Sequence, residues 1–206
     1  MDVRDELIAA GAWLAQAGLV PATSGNLSAR APHGGLWLSR SGPSKGKLTR
    51  DDLLLLGHDG AIQVGPPGAR PSAETALHRL VYAREPEAGC VLHGHGLAAM
   101  VLSRLPGVGD GIDLSGWELQ KALAGRTTHA EVLHLPIIDN DQDVPAMAAR
   151  VALAIDAIPA ARRVPGFVIR GHGLYAWGRT VDDALRHVEA LEILMRAELA
   201  LRGVSP

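Results

Sequence analysis

Apolar residues recur along the chain with two different periods, which predict a mixture of helices and strands. In residues 3–19 they recur at near-helical spacing as far as Gly18, a residue type that commonly ends helices. The same spacing predicts further helices at about 72–84, 96–104, 143–157 and 181–202. Residues 117–125 are predicted to form a short helix or a loop.

Short apolar runs bounded by glycine, proline and polar residues predict strands between these helices. They lie at 36–39, 53–56, 61–64, 89–95, 132–138 and 167–170, and another short strand follows the polar turn that begins at Thr23. The dipeptide Asp59-Gly60 is a strong hairpin turn between two of them. Because helices and strands are interspersed, the predicted fold class is mixed α/β, with helices covering a central sheet.

The composition predicts a single domain whose partner is a small molecule. At 206 residues and 47% hydrophobic content, the chain can bury one sizeable core, so we expect a single domain over residues 1–206. The formal net charge of −2, without long blocks of like charge, indicates no nucleic acid and no membrane surface as partner. No apolar run reaches the roughly 20 residues of a membrane span. Cys90 is the only cysteine, which agrees with the reducing cytoplasm, and its apolar neighbours predict burial.

Three histidines lie near strand ends in glycine-rich contexts. His93 and His95 form an H-x-H motif, and alternate side chains of a strand point to the same face, so both imidazoles could bind one metal ion. His172 lies between two glycines after a predicted buried strand. Three protein ligands leave a coordination position for substrate, as in catalytic zinc sites, although three imidazoles also suit Fe²⁺, Co²⁺ or Mn²⁺. The alternative is ordinary surface or hydrogen-bonded histidines. We expect surface or helix-packing positions for the other six: His33, His58, His78, His129, His134 and His187.

Two carboxylates are candidates for proton transfer. Glu74 lies in the first turn of the helix that Ser72 is predicted to cap, a place where the helix dipole by itself favours an acid. Glu118 precedes Lys121 by three residues, so an exposed ion pair would also account for it. The residues alone leave both roles open.

Small polar residues and glycines in three loops could form an anion-binding site. Backbone N–H groups and hydroxyls in such loops can surround a phosphate without steric obstruction, and Lys45 could add positive charge. No segment matches the G-x-x-x-x-G-K-[ST] or G-x-G-x-x-G loops, so a phosphorylated metabolite is expected rather than ATP or a dinucleotide. The candidate phosphate-binding residues are Ser24, Asn26, Ser41, Gly42 and Ser72.

Five segments in order, T-S-G-N-L-S-A-R, L-S-R-S-G, P-S-A-E-T-A-L-H, V-L-H-G-H-G and I-R-G-H-G-L-Y-A-W-G, resemble the class II aldolase and adducin superfamily along nearly the whole chain. The resemblance implies a three-layer α/β/α fold with a largely antiparallel central sheet. It also implies one Zn²⁺ per subunit on His93, His95 and His172, and a small phosphorylated ketose as substrate. A homotetramer with active sites near subunit interfaces is implied as well.

Further segments, W-E-L-Q-K-A-L-A-G, P-I-I-D-N-D-Q-D-V and R-H-V-E-A-L-E-I-L-M, are similar to dehydratases of this superfamily that act in methionine salvage. In those dehydratases the glutamate at the position of Glu118 is the acid/base. Glu74 matches the glutamate that aldolases use for proton transfer. The acidic run at 139–143 favours a dehydratase. The alternatives are an aldolase or pentose-phosphate epimerase of the same superfamily, and a non-catalytic metal-binding protein.

Overall fold

The computed structural model describes residues 2–204, and within that range five α-helices are interspersed among nine strands. The helices are α1 Val3–Gln16, α2 Thr75–Arg84, α3 Leu97–Leu102, α4 Val144–Ala157 and α5 Val181–Leu201. The strands are β1 Asn26–Arg30, β2 Leu36–Ser39, β3 Leu53–Leu56, β4 Ile62–Val64, β5 Cys90–Gly94, β6 Gly111–Leu114, β7 Leu133–Ile138, β8 Gly166–Ile169 and β9 Gly173–Gly178. Across residues 2–204, no helix combines the length and the apolar character needed to cross a membrane.

These strands form one sheet in the order β4-β3-β2-β1-β5-β9-β8-β7-β6. Neighbouring strands are antiparallel except β7 and β8, which run parallel. The largely antiparallel central sheet is therefore confirmed. β5 and β9 pair at its centre, so a group at the end of either strand has sheet on both sides.

Different helices cover the two faces of the sheet, which gives three layers. Successive side chains of β5 point to opposite faces: Cys90 and Leu92 pack in the core beneath α1, α3 and α5, and Val91 packs in the core beneath α2 and α4. Burial raises the pKa of the Cys90 thiol far above its ordinary value, so this side chain acts as a small apolar group.

The structure differs from the sequence prediction at two strands, β6 and β9, which the periodicity does not indicate. β9 is buried on both faces, so it shows no polar alternation, and glycines at both ends make it resemble a loop. β6 is a short strand at the sheet edge that begins with Gly111. A smaller difference concerns α2, which begins at Thr75; Glu74 is thus at the N-cap position and not inside the first turn.

Candidate active site

The three predicted histidines converge where β5 ends and β9 begins. His93 lies within β5, His95 directly follows the strand, and His172 directly precedes β9. Because these strands pair antiparallel, the end of one meets the start of the other, and the three imidazoles each place a nitrogen within 4.8 Å of the other two. The Nε2 atoms of His93 and His95 are 3.0 Å apart.

Hydrogen bonds behind two of the rings engage their Nδ1 atoms and turn their Nε2 atoms towards the centre of the cluster. The Nδ1–H of His93 donates to the carbonyl oxygen of Leu174 at 3.0 Å, and the Nδ1 of His172 faces the Oδ1 of Asn140 at 3.4 Å. Burial lowers the pKa of His93 to about 3 and that of His95 to about 4. Neutral imidazole is the form that binds metals, so this donor set fits a divalent cation.

Glu74 lies against this cluster. Its Oε1 is 3.0 Å from the Nε2 of His172, and its Oε2 is 3.6 Å from the Nε2 of His93. Burial opposes ionisation of Glu74, but the hydrogen bond with His172 and the nearby His93 outweigh it and hold the pKa of the carboxyl below its usual range. Glu74 is therefore a carboxylate that lies beside any molecule bound at the histidines.

A cleft of about 200 Å³ opens beside His95, His172 and Glu74. The hydroxyl of Ser24 in its wall is buried and has no hydrogen-bond partner among the described residues, so it can bind a ligand oxygen. A larger cavity, about 630 Å³, lies elsewhere, beside Ala124 and Arg163. All five residues predicted to bind phosphate line the smaller cleft: Ser24, Asn26, Ser41, Gly42 and Ser72.

Two basic residues adjoin these loops. Lys45 is 2% exposed, and its Nζ donates to the carbonyl oxygens of Thr23 and Pro43 at 3.0 and 2.8 Å, so it ties the two loops together. Arg40 also lines the cleft and forms an ion pair with Asp52 at 2.8 Å. Sequence reasoning missed Arg40, although it directly precedes Ser41.

The structure does not bring Glu118 into the cleft of its own chain. Its side chain is 70% exposed and pairs with Lys121 and His129, and none of these three residues lines the cleft. The hydrogen bond from Lys121 holds the pKa of Glu118 below its usual value. The exposed ion pair that the sequence suggested for Glu118 is therefore present.

Sequence reasoning also missed polar residues that support the site from behind. His78 is buried in α2 and contacts Asn26, and Asn140 faces His172. In the acidic run, Asp139 accepts a hydrogen bond from Arg170 at 2.6 Å, and Asp143 caps α4. The run thus connects the loop of His172 to a helix, a role that its composition alone does not indicate.

A model of the class II aldolase and adducin N-terminal domain matches residues 5–199. The chain therefore belongs to this family. Among solved structures, L-fuculose-1-phosphate aldolase from Thermus thermophilus is similar with a TM-score of 0.74 and 28% identity, covering 97% of this chain and 95% of that one. A sugar-phosphate aldolase from Thermotoga maritima, 17% identical with a TM-score of 0.72, shares the fold over all of this chain and 97% of its own.

Within the family, the chain is similar over nearly its whole length to proteins named methylthioribulose-1-phosphate dehydratase. The protein of that name from Pectobacterium atrosepticum is 47% identical over 196 residues, which are 95% of this chain and 93% of that protein. The one from Gluconacetobacter diazotrophicus is 46% identical over 201 residues, covering 97% and 94%.

Proposed function

We propose that the chain is a hydro-lyase that converts 5-methylthioribulose 1-phosphate to 2,3-diketo-5-methylthiopentyl 1-phosphate in methionine salvage, as a cytoplasmic homotetramer with one Zn²⁺ per subunit. The observation that carries the proposal is the convergence of His93, His95 and His172 beside a carboxylate and a hydroxyl-lined cleft. The names of the relatives support the choice of reaction within the family.

The cleft suggests how the substrate would lie. The hydroxyls of Ser24 and Ser72 and the loop at Gly42 would bind the phosphate, and the sugar carbons would extend towards His95 and His172, which line the same cleft. When bound at the three imidazoles, Zn²⁺ supplies Lewis-acid polarisation of the C2 carbonyl, which makes the C3 proton acidic. The loops therefore set which carbon faces the acid/base group.

The reaction needs one group that removes a proton and later returns one. The base takes the proton from C3, the C4 hydroxyl leaves as water after it is protonated, and the resulting enol tautomerises to the diketone. Glu74 is the carboxylate at the cleft of the same chain. The family resemblance, however, gives the acid/base role in dehydratases to the position of Glu118.

We reconcile the two by assigning Glu118 to the cleft of a neighbouring subunit. Its exposed carboxylate lies outside its own cleft, and active sites near subunit interfaces are what the family resemblance implies. Each cleft would then contain its own Glu74 together with Glu118 of the partner subunit. Glu74 would help to hold the histidines in position, and Glu118 would exchange the proton at C3.

A second candidate is a class II sugar-phosphate aldolase or pentose-phosphate 4-epimerase. The position of Glu74 favours it, since Glu74 contacts two of the three histidines within one chain. In that case Glu74 would be the principal proton-transfer group, and Glu118 would form a surface ion pair only.

The two candidates are separated by a product assay of the zinc-loaded protein with 5-methylthioribulose 1-phosphate. Wild type, Glu118→Gln, Glu74→Gln and a control, Glu87→Gln, whose side chain is 80% exposed, would be compared by mass spectrometry and diketone absorbance. We expect wild type and the control to form a product lighter than the substrate by one water. Glu118→Gln should form it at least about a hundredfold more slowly.

Other results would contradict the dehydratase. Cleavage of another sugar phosphate into two fragments, dependent on Glu74 and unaffected by Glu118→Gln, would identify an aldolase. Full activity after complete chelation of metal would contradict the role of the histidine cluster in either reaction.

A further inference from the structure

A chain of buried polar groups runs from α2 to the carboxylate of Glu74. Tyr82 and Ser28 approach each other at 2.9 Å, Ser28 is 2.7 Å from the Nδ1 of His78, and the Nε2 of His78 contacts the Oδ1 of Asn26. The Nδ2 of Asn26 lies 2.6 Å from Glu74 and 3.1 Å from the Oγ of Ser72. Every group between Tyr82 and Asn26 is buried.

The orientation of the Asn26 amide sets the direction of each hydrogen bond. Its Nδ2 donates to the Oε2 of Glu74 and to the Oγ of Ser72, and its Oδ1 faces His78. An amide oxygen can only accept, so the Nε2 of His78 must carry a proton.

The remaining bonds are then determined as well. Burial lowers the pKa of His78 to about 4, so the ring is neutral near pH 7 and its Nδ1 has no proton. The hydroxyl of Ser28 therefore donates to Nδ1, and the hydroxyl of Tyr82 donates to Ser28. All donors along the chain point towards Glu74.

This orientation has a consequence for Ser72. Its oxygen accepts from the Nδ2 of Asn26 and, at 3.3 Å, from the backbone N–H of Glu74. The hydrogen of the Ser72 hydroxyl is left free to donate to an anion in the cleft. If the Asn26 amide were flipped, its oxygen would take that hydrogen and would also face the carboxylate of Glu74, which is repulsive.

We propose that His78 is a positioning residue that locks the Asn26 amide with its NH₂ group towards Glu74 and Ser72. The inference rests on the proposed function, because it links one side chain to both Glu74 and the proposed phosphate site. His78 touches neither substrate nor metal in this arrangement. It acts through Asn26, and Ser28 and Tyr82 set its tautomer.

A kinetic test compares two substitutions of His78 with a matched control. His78→Met removes the donor to Asn26, and His78→Gln keeps a side-chain N–H that can reach it. His187 is the control, since it is also buried in a helix with two hydrogen bonds, to Ala124 and Trp177, and lies outside the cleft. We expect His78→Met to lower kcat/KM roughly tenfold to a hundredfold, with kcat lowered and KM raised together.

The pattern of the two constants separates positioning from a loss of folded protein. Partial unfolding lowers the amount of active enzyme, so the apparent kcat falls and KM does not change. We expect the KM of His78→Gln to be close to that of wild type, and the KM of His187→Gln to equal it. An unchanged KM in a folded His78→Met, or a His78→Gln no better than His78→Met, would overturn the proposal.

A spectroscopic test does not depend on activity or on the folding of any variant. In wild-type protein with ¹⁵N-labelled histidine, the NMR signals of His78 at pH 7 should show a protonated Nε2 and an unprotonated Nδ1. These signals are assigned by their absence from the spectrum of His78→Gln. Should that variant not fold, they are assigned by their coupling to the ring protons. The opposite tautomer would overturn the locked amide even if dehydration is confirmed. If the expected tautomer is found but the protein does not dehydrate the ketose, the positioning role of His78 stands and the proposed function is contradicted.

Discussion

At the scale of single residues, hydrogen bonds to backbone carbonyl groups can fix a charged side chain that lines the cleft. Lys45 shows this most clearly, because its ammonium group donates to carbonyl oxygens of two different loops and does not project into solvent. Burial lowers the pKa of Lys45, and the charge of Asp52 partly opposes this effect. The two carbonyl oxygens supply hydrogen bonds that the buried ammonium group would otherwise make to water. The residue acts as a clamp between the loops that are proposed to bind phosphate.

Lys45→Met tests this clamp, because methionine keeps the length of the side chain and removes its donors. Two partly buried carbonyl groups lose their partner, so we expect the free energy of unfolding to fall by about 1–3 kcal/mol and KM to rise as the loops separate. Urea denaturation and steady-state kinetics measure the two effects. Lys47→Met is the control, since Lys47 is exposed and lies in the same single helical turn, Lys45–Lys47, as Lys45. Equal behaviour of the two variants would contradict the clamp.

At the scale of elements, the close pairing of β5 and β9 brings the histidines together. Gly173 opens β9, and a Cβ atom added there would lie 2.2 Å from the carbonyl oxygen of Gly94 and 3.1 Å from the Cε1 of His93. The first of these contacts is with backbone and cannot be relieved by a side-chain rotation. The absence of a side chain at Gly173 therefore sets the distance between the two strand ends.

Gly173→Ala should push β9 away from β5 and disturb the histidine cluster. Overpacking of this kind costs about 1–3 kcal/mol of stability, and we expect zinc affinity to fall with it. Calorimetric unfolding and zinc titration against a chelating dye measure the two quantities. Gly109→Ala is the matched control, because a Cβ added at Gly109 meets no atom within 4 Å. Unchanged zinc affinity in a folded Gly173→Ala would show that the cluster does not depend on this contact.

At the scale of the whole molecule, a single chain assembles only part of the proposed site. The histidines, Glu74 and the loops proposed to bind phosphate meet within one chain, and Glu118 lies on the surface outside their cleft. If Glu118 completes the cleft of a neighbour, two defective chains should restore activity when they assemble together.

Mixed assemblies of Glu118→Gln and His172→Ala chains test this prediction. Each parent should be inactive, and equal mixing should restore about a quarter of wild-type activity, since one pairing in four combines an intact histidine set with an intact glutamate. Activity after co-expression and tandem purification measures it. A mixture of His93→Ala and His172→Ala is the control and should stay inactive, because neither chain has a complete set of histidines. No recovery of activity in the first mixture would contradict the assignment of Glu118 to the cleft of a neighbouring subunit.

The sequence by itself determined the features that depend on neighbouring residues. The H-x-H motif, the glycines beside His172 and the small polar loops are local patterns, and the helical periods indicated all five helices. The phosphate-loop residues were predicted from the same local chemistry, and the structure places them in one cleft. Periodicity did not reveal β9, because a strand buried on both faces has no alternation of apolar and polar residues.

The tertiary structure alone decided which distant groups meet. His78 and Asn26 are 52 residues apart in the chain, and the clamp of Lys45 spans 22 residues to Thr23. No local pattern predicts such pairs, since they arise only when α2 packs on the sheet and the loops fold over its end. The same reason explains Glu118: its motif indicated chemistry, but the folding of the chain decided that it lies outside its own cleft.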